Sequence, residues 1–330
     1  MSVSADPGAA PGIGPVRSLE VVDLLRLTGR ELDPLLLEET VEWQNALDWD
    51  FGVAAEMVRR FVNGRSLAGA AILDRGEVAG YGYAVVEDSK ALIGDLYIRP
   101  QWRETDAPAR LFRMILSGLE GVGSVKRIES QIMLIPPDSG AAMARQSGVG
   151  LCERILMSAE VGEVAPSASG GGNSDFRIVP WADQYEDPAA GLIAAAYVNH
   201  IDSTINDQYR NHAGARRFLY NIVRYPGCGD FNPHASFLAF DRSSGSICGL
   251  AAVTMVSRET GHVAQLCVQP GLQGRGLGRV LLAAAGAALQ QAGAKRVTLT
   301  VTSSNRAVEL YRKTGFREVR RFLAYVWDRA

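Results

Sequence analysis

Residues Val263–Gly278 read V-A-Q-L-C-V-Q-P-G-L-Q-G-R-G-L-G and predict a β-strand, a glycine-rich turn and the start of an α-helix. The helix continues as an amphipathic segment to residue 292. We expect Gly274, Gly276 and Gly278 to leave backbone N–H groups uncovered at the helix N-terminus, where the helix dipole adds positive potential. A turn of this kind binds a diphosphate.

Two common phosphate-binding motifs do not fit this turn. A P-loop needs a Gly-Lys pair, and the sequence contains none. A dinucleotide-binding fold needs G-x-G-x-x-G and an acidic residue about 20 positions later, where this chain has Lys295 and Arg296. An ordinary tight turn, with glycines that serve packing, remains the alternative for the turn taken by itself.

A second motif follows the turn at residues 305–316, which read N-R-A-V-E-L-Y-R-K-T-G-F. With Q-G-R-G-L-G before it, this segment resembles the GCN5-related N-acetyltransferases (the GNAT superfamily). The resemblance extends over residues 175–330 by the order of predicted elements. It implies acetyl-coenzyme A as the acetyl donor and an α+β (mixed α/β) fold, with a mostly antiparallel twisted sheet flanked by helices.

The resemblance also implies which residues bind the cofactor. Backbone N–H groups of the turn would hold the pyrophosphate, and the residues concerned are Gln273, Gly274, Arg275, Gly276, Leu277, Gly278 and Arg279. The pantetheine would lie like an added strand along Leu266, Cys267 and Val268, with Asn305 as a hydrogen-bonding partner. Tyr311 matches the family position beside the sulfur and would donate a proton to the leaving thiolate as general acid.

The proton acceptor and the amine-binding residues are less clearly marked. His262 is similar in position to the base of some family members, with Glu259 and Asp202 in reserve, and a half-exposed turn histidine is the alternative. In this family the segment between the first two helices usually binds the acceptor. Its candidates here are Tyr197, His200, Asp202 and Tyr209, and a solvated helix junction is the alternative. Cys267 is better explained as a small apolar strand residue than as a nucleophile.

The chain reads as a duplication with a spacer. Residues 164–174 are V-A-P-S-A-S-G-G-G-N-S, a linker composition that separates a domain over 1–163, with a flexible tail over about 1–18, from a domain over 175–330. In the second half we predict strands at 176–181, 236–241, 247–256, 262–268, 296–301 and 316–327, and helices at 188–200, 207–225, 278–292 and 305–314. The first half repeats this order, with strands at 67–73, 78–86, 91–98 and 127–134 and helices at 107–119 and 139–146. The sequence therefore predicts two tandem GNAT-like domains.

The first repeat departs from the family pattern at the cofactor site. When Pro100 is aligned with Pro270, Glu104 and Asp106 stand where Gly274 and Gly276 do, and both add bulk and negative charge beside a diphosphate. When Gly148 is aligned with Gly315, Asp138 and Ala144 replace Asn305 and Tyr311. We therefore expect the first repeat to be a degenerate scaffold.

Composition excludes several classes of protein. The 34 basic and 36 acidic residues give a net charge of -2, so we expect neither nucleic acid nor a membrane surface as a partner. The first 18 residues do not read as a secretory signal, and the four cysteines have no spacing that suits zinc, so we expect no metal and a cytoplasmic location. An internal duplication fits a monomer with a pseudo-dimer interface, and a homodimer is the alternative.

The leading hypothesis is an acetyl-CoA-dependent N-acetyltransferase with one site, in the second domain. Its mechanism would be direct attack of a primary amine, from a small molecule or a peptide, on the thioester. A protein that binds or senses acyl-CoA without turnover is the alternative from another class, because it needs no base. A small-molecule acetylase similar to mycothiol synthase is a third hypothesis.

Overall fold

The computed structural model describes residues 19–165, 175–225 and 227–329. The strands are β1 (Glu20–Asp23), β2 (Ala68–Asp74), β3 (Glu77–Glu87), β4 (Lys90–Ile98), β5 (Arg127–Ile132), β6 (Gly150–Glu160), β7 (Phe176–Pro180), β8 (Asp230–Phe231), β9 (Phe237–Asp241), β10 (Ile247–Met255), β11 (Thr260–Val268), β12 (Arg296–Thr302) and β13 (Arg317–Asp328). The helices are α1 (Gly29–Leu47), α2 (Gly52–Asn63), α3 (Ala107–Glu120), α4 (Pro137–Ser147), α5 (Val161–Val164), α6 (Glu186–Ala196), α7 (Asp202–Ile205), α8 (His212–Arg224), α9 (Leu277–Gln291) and α10 (Ala307–Lys313).

The predicted fold class, a mostly antiparallel sheet flanked by helices, is confirmed. Each strand predicted from periodicity is present, with ends within two residues of the predicted ones. The predicted helix 207–225 is instead a 3-10 turn, Asp207–Arg210, followed by α8. The break occurs because the side chain of Asn211 accepts a hydrogen bond from the N–H of Gly214 at 2.8 Å and so caps a new helix. The first two helices of the chain and β6 were not predicted.

The two repeats exchange their last strands within one continuous sheet. The strand order is β1-β2-β3-β4-β5-β13-β6-β12-β11-β10-β9-β7, with β8 attached to β10. Strand β13, from the second repeat, pairs with β5 and β6 of the first, while β6 also pairs with β12 of the second. Each repeat therefore has its sheet extended by a strand of the other. The pseudo-dimer interface is strand pairing rather than the contact of two finished domains.

Helices cover both faces of this sheet. One face packs against α3 and α4 in the first repeat and against α9 and α10 in the second. The other face packs against α1 and α2 in the first repeat and against α6 and α8 in the second. The two helix pairs on this second face are adjacent, so the loops that follow α1 and α6 both reach the central strands.

The predicted domain limits stay a prediction. The predicted linker starts at Val164, which is buried in α5 and lies beside Gly286 of α9. The rest of that linker, residues 166–174, and the predicted tail, residues 1–18, lie outside the described residues. No helix in the described part of the chain is long and apolar enough to span a membrane.

Two carboxyl groups are buried together in the core of the first repeat. Glu39 is fully buried and accepts hydrogen bonds from Oη of Tyr81 at 2.8 Å and from Nε1 of Trp43 at 3.2 Å. Burial, with the negative charge of nearby Asp95 as the second cause, raises the pKa of Glu39. The carboxyl of Asp95 accepts the N–H of Leu96 through Oδ1, while its buried Oδ2 has no hydrogen-bond partner among the described residues. A proton on Glu39, whose pKa the neighbouring Asp95 raises, can be shared with that oxygen.

We expect Asp95→Asn to raise stability at alkaline pH and to flatten its pH dependence. Because the pKa of Glu39 is raised in the folded state, its contribution is complete below the unfolded value and is lost as pH rises through the folded value, by at most about 1.4 kcal/mol per pH unit. An amide at residue 95 can donate to the Glu39 carboxylate, so no proton is needed there. Thermal unfolding between pH 5 and pH 8 measures the slope, with exposed Asp138→Asn as the control. An unchanged slope in Asp95→Asn would contradict the shared proton.

Candidate active site

The central feature of the second repeat is a gap between two parallel strands. Strands β11 and β12 pair only from Thr260 to Val263, opposite residues 296–299, and then separate. A bulge at Ala264 marks the separation, because β10 pairs with Gln265 and then with Val263. The backbone of residues 264–268 therefore has no ladder partner on the β12 side. The predicted residues Leu266, Cys267 and Val268 lie on this free edge.

The glycine-rich turn opens α9 without any side-chain cap. Gly274 and Gly276 have φ of 76° and 84°, a left-handed conformation that favours glycine, and neither has an atom within 4 Å of where a Cβ would stand. Gly276 is the N-cap of α9 and provides no side-chain hydrogen bond, so the N–H groups of Leu277, Gly278 and Arg279 have no acceptor among the described residues. Gln273 donates its amide to the carbonyl of Val268 at 3.0 Å, which joins the turn to the strand edge.

The two arginines of the turn differ in their surroundings. Arg275 forms an ion pair with Asp175 at 2.9 Å and lies 5.6 Å above the ring of Phe176, so its charge is directed to the first strand of the repeat. Arg279 is exposed in the first turn of α9. Of the two, Arg279 is thus the one whose side chain stands at the helix N-terminus, although both remain predicted cofactor contacts.

Helix α10 borders the gap from the far side. Oδ1 of Asn305 accepts the N–H of Ala307 at 2.9 Å, and its Nδ2 lies 3.4 Å from Nε2 of His200. Tyr311 is buried, with its ring centroid 5.8 Å from that of Phe316. Burial, and to a lesser extent the charge of Asp202, raises the pKa of Tyr311, so its hydroxyl stays protonated. That hydroxyl makes no hydrogen bond to the described residues.

The four predicted acceptor-binding residues come together at the gap. Tyr197 and Tyr209 stack with ring centroids 4.3 Å apart, and Oη of Tyr197 accepts a hydrogen bond from Nε2 of Gln265 at 3.0 Å. Asp202 is buried and accepts a hydrogen bond from Thr302 on β12. His200 lies against Tyr197, at 4.9 Å between centroids, and its Nδ1 is 3.6 Å from the Asp202 carboxylate. These side chains form the wall of the site on the α6 face.

His262 and Cys267 are both buried, whereas a general base or a nucleophile has to reach the substrate. His262 is 5% exposed, contacts Oγ1 of Thr298 at 2.9 Å and lies under the ring of Trp49 from the first repeat. Burial, with the charge of Arg154 second, lowers its pKa to about 4, which makes it a weak base. Burial raises the pKa of Cys267 to about 12, so its thiol stays protonated.

The first repeat contributes Arg154 to this site, and sequence analysis missed it. Arg154 lies on β6, is 9% exposed, and donates through Nη2 to Oγ1 of Thr300 at 3.2 Å. Burial raises the pKa of both Tyr209 and Tyr311, and the positive charge of Arg154 offsets part of that rise. No local pattern marked Arg154, because β6 was not predicted and its pairing with the second repeat depends on the exchange of strands.

Charged residues of the first repeat also contact residues 197–209, the segment with the four predicted acceptor-binding residues, which we call the acceptor loop. Nζ of Lys90 contacts Asp207 at 2.6 Å and Glu129 at 3.1 Å, and the N–H of Asp207 donates to Glu129 at 2.9 Å. Arg127 donates to the carbonyl of Thr204 at 2.5 Å and to Glu129 at 2.6 Å. The degenerate repeat thereby fixes residues 204–207, which join α7 to the turn that carries Tyr209.

The equivalent gap of the first repeat is bordered by arginine side chains. Strands β4 and β5 also separate, after Ile93, but Arg103 donates to the carbonyl of Ile98 at 2.7 Å and pairs with Glu42. Arg320, from β13 of the second repeat, donates to the carbonyls of Met133 and Leu134, which follow β5. Arg103 thus occupies a carbonyl at the end of β4, the strand that corresponds to β11.

The turn of the first repeat also differs in backbone conformation. Asp106, which replaces Gly276, has φ of -77°, and the side chain of Thr105 accepts the N–H of Ala107 at 3.2 Å. The N–H groups of this turn are thus not presented as they are before α9. In the described residues no cluster of His, Cys, Asp and Glu has the make-up of a metal site.

Comparisons with known proteins fit this geometry. Residues 208–322 match the family model described as an acetyltransferase (GNAT) domain. A curated relative, mycothiol acetyltransferase of Beutenbergia cavernae, is 38% identical over 90 residues, which are 27% of this chain and 30% of that protein. The chain thus matches less than a third of the length of this curated relative.

Two solved structures share the fold over almost the whole chain. A GCN5-related N-acetyltransferase from Sphaerobacter thermophilus has a TM-score of 0.67 at 16% identity and covers 94% of this chain and 95% of its own. A tandem GNAT protein from the clavulanic acid biosynthesis pathway has a TM-score of 0.58 at 17% identity, covering 94% and 98%. At such identities the likeness concerns the fold.

Proposed function

We propose that this chain, which belongs to the GCN5-related N-acetyltransferase (GNAT) superfamily through its C-terminal domain, moves an acetyl group from acetyl-CoA to a primary amine at a single site in that domain. The observation that carries the proposal is the uncapped start of α9, where glycines in left-handed conformation leave N–H groups without an acceptor among the described residues. The N–H groups of this turn suit a diphosphate, as expected at a helix N-terminus.

The free edge of β11 would align the rest of the donor. Backbone groups of Leu266–Val268, which lack partners on the β12 side, can pair with the amides of pantetheine as they would with a further strand. A backbone N–H near the bulge is then available to the thioester oxygen when it becomes an oxyanion. Asn305, at the start of α10, is placed to hydrogen-bond the same arm.

The proton donor and acceptor would stand on opposite sides of the gap. Tyr311 stays protonated because burial raises its pKa, and its hydroxyl makes no hydrogen bond to the described residues, so it can donate a proton to the leaving thiolate. For the base we favour His200 over His262, because His200 is only half-buried and lies beside Asn305 and Asp202. His262 is buried and has a pKa of about 4.

A small-molecule amine is the acceptor that the comparisons favour. The curated relative is named mycothiol acetyltransferase, and its aligned part covers 27% of this chain. A binding protein without turnover would share the α9 turn but would have no use for a protonated, unbonded tyrosine in the gap. The uncommitted hydroxyl of Tyr311 therefore favours the enzyme.

We expect Tyr311→Phe to lower kcat about 100-fold and to leave the Kd for acetyl-CoA unchanged, because a general acid acts in the transition state only. Release of free thiol with a panel of amines measures kcat, and calorimetry measures the Kd. Tyr325→Phe, which alters an equally buried tyrosine in the core of the first repeat, is the matched control. The same assay on His200→Gln and His262→Gln tests the choice of base.

Two outcomes would contradict the proposal. If the chain binds acetyl-CoA but releases no thiol with any amine, it is a binding protein. If Tyr311→Phe turns over at the wild-type rate with its best acceptor, Tyr311 is not the acid.

A further inference from the structure

Among the buried arginines of the described residues, Arg154 makes the fewest hydrogen bonds. Its one hydrogen bond in the described part of the chain goes to Thr300, and its Nε is buried with no partner there. Nη1 forms an ion pair with Oδ1 of Asp202 at 3.9 Å, a separation too long for a hydrogen bond. A guanidinium has five N–H donors, and leaving them unused in a buried place is costly.

In the other two buried arginines of the described residues, Nε, Nη1 and Nη2 each donate a hydrogen bond. Arg103 donates to Ile98 and twice to Glu42, at 2.5 to 2.7 Å. Arg127 donates to Glu129, Asp328 and Thr204, at 2.5 to 2.9 Å. Because the fold readily supplies partners to buried arginines elsewhere, the unfilled donors of Arg154 point to a ligand.

The position of Arg154 places that ligand at the reaction site. Thr300 and Thr302 lie on one face of β12, where the first contacts Arg154 and the second contacts Asp202. The guanidinium of Arg154 is close enough to both Tyr311 and Tyr209 for its charge to act on each of them, so it lies near α10 and near the segment that carries Tyr209. Opposite Arg154 in the sheet is Phe322, which is fully buried and cannot compete as a partner.

An open cavity of about 460 Å³ begins at Cys152 of β6, and Thr204, Ile205 and Val326 also line it. Arg154 and Asp202 are not among its lining residues, so it is an approach to their site and not the site itself. Cys152 is two residues before Arg154 and on the same face of β6, and its thiol is close enough to Asp202 and Thr302 for both to affect its pKa. The volume is in the range of pockets for small ligands.

We propose that the acceptor is an amine that also carries a carboxylate, as an α-amino acid does, and that Arg154 binds the carboxylate while Asp202 binds the ammonium. This inference rests on the proposed function. One arginine beside one aspartate gives a site of no net charge, which suits a zwitterion better than a phosphate dianion. The two protein charges are also as close together as the two charges of an α-amino acid. The degenerate repeat would thus supply a specificity-determining residue to the working site.

The experiment compares matched pairs of acceptors on the whole chain. Each pair is an α-amino acid and its α-carboxamide, which keeps the ammonium and the side chain but is neutral where the acid is charged. We expect wild-type protein to favour the acid of its best pair by about 100-fold in kcat/KM. Arg154→Gln should abolish the preference, so that the ratio of kcat/KM for the acid to kcat/KM for the carboxamide falls to about 1 in the variant, and Arg154→Lys should restore part of that ratio.

Controls separate this inference from the proposed function. Arg321→Gln removes an exposed arginine that pairs with Glu153 and Glu318, and it should keep the wild-type preference. Calorimetry with acetyl-CoA should give the same Kd for Arg154→Gln as for wild type, which shows that the variant is folded and that the donor site is intact.

Three results would overturn the inference. Wild-type protein could use the carboxamides as well as the acids, or Arg154→Gln could slow both members of a pair equally. The chain could also prefer succinyl-CoA to acetyl-CoA and lose that preference in Arg154→Gln. In that case Arg154 binds the carboxylate of the acyl group and not that of the acceptor. If no acetyl-CoA binds and no amine releases thiol, the proposed function itself has failed, and this inference with it.

Discussion

Residues 175–330 expressed without the first repeat are expected to form no stable domain. In that fragment β12 loses β6 from one edge, and β13 loses both of its neighbours, β5 and β6. An unpaired strand exposes its backbone groups and promotes aggregation. The second repeat would therefore lack the strands on either side of β13 and end in an open edge.

The apolar core of the second repeat is affected equally. Its members contributed by the first repeat are Ile155, Met157, Ala159, Val161 and Val164. The four larger of these stabilise the core by about 1.5 to 3 kcal/mol each, which gives roughly 6 to 12 kcal/mol in total. A whole domain is stable by only about 5 to 15 kcal/mol, so their removal is sufficient to unfold it.

Expression of the two halves together provides the test. Residues 1–165 and 175–330, produced in the same cells, should co-purify as a one-to-one complex that melts cooperatively, while 175–330 alone should be insoluble or should melt without a transition. If 175–330 alone is a monomer with a cooperative thermal transition, the strand exchange is not needed for folding.

Gly276→Glu is expected to weaken acetyl-CoA binding by more than about 100-fold. A residue with a Cβ at φ of 84° is strained by about 1 to 2 kcal/mol, and a carboxylate some 4 Å from a phosphate adds about 4 kcal/mol of repulsion at surface-like screening. Since about 3 kcal/mol corresponds to a 100-fold change in affinity, the repulsion alone is sufficient. Calorimetry measures the Kd directly.

Two further variants separate strain from charge. Gly276→Ala keeps the φ strain without the charge and should weaken binding by tenfold or less. Gly76→Glu makes the same substitution at φ of 85° in the β2–β3 turn, also with nothing within 4 Å, and should leave the Kd unchanged. If Gly276→Glu binds as tightly as wild type, the diphosphate is not held at α9 and the proposed function has no support there.

The first repeat contributes side chains to the candidate site of the second. It holds residues 204–207 through Lys90 and Glu129, contacts His262 with Trp49, and places Arg154 beside Asp202. At its own gap, Arg103 occupies the carbonyl of Ile98. The first repeat therefore supports the gap of the second repeat while its own gap holds an arginine.

The sequence by itself determined the local features of this protein. Alternation of apolar residues predicted β11, and the glycines at 274 and 276 predicted the turn before α9, because both depend on neighbouring residues. Tyr197 and Tyr209 were expected in one wall because the family resemblance assigns acceptor binding to the segment that contains both. The tertiary structure alone decided the partners of β6 and β13. An alternating pattern fits either edge of a sheet, so no local rule places Arg154 of the first repeat next to Asp202 of the second.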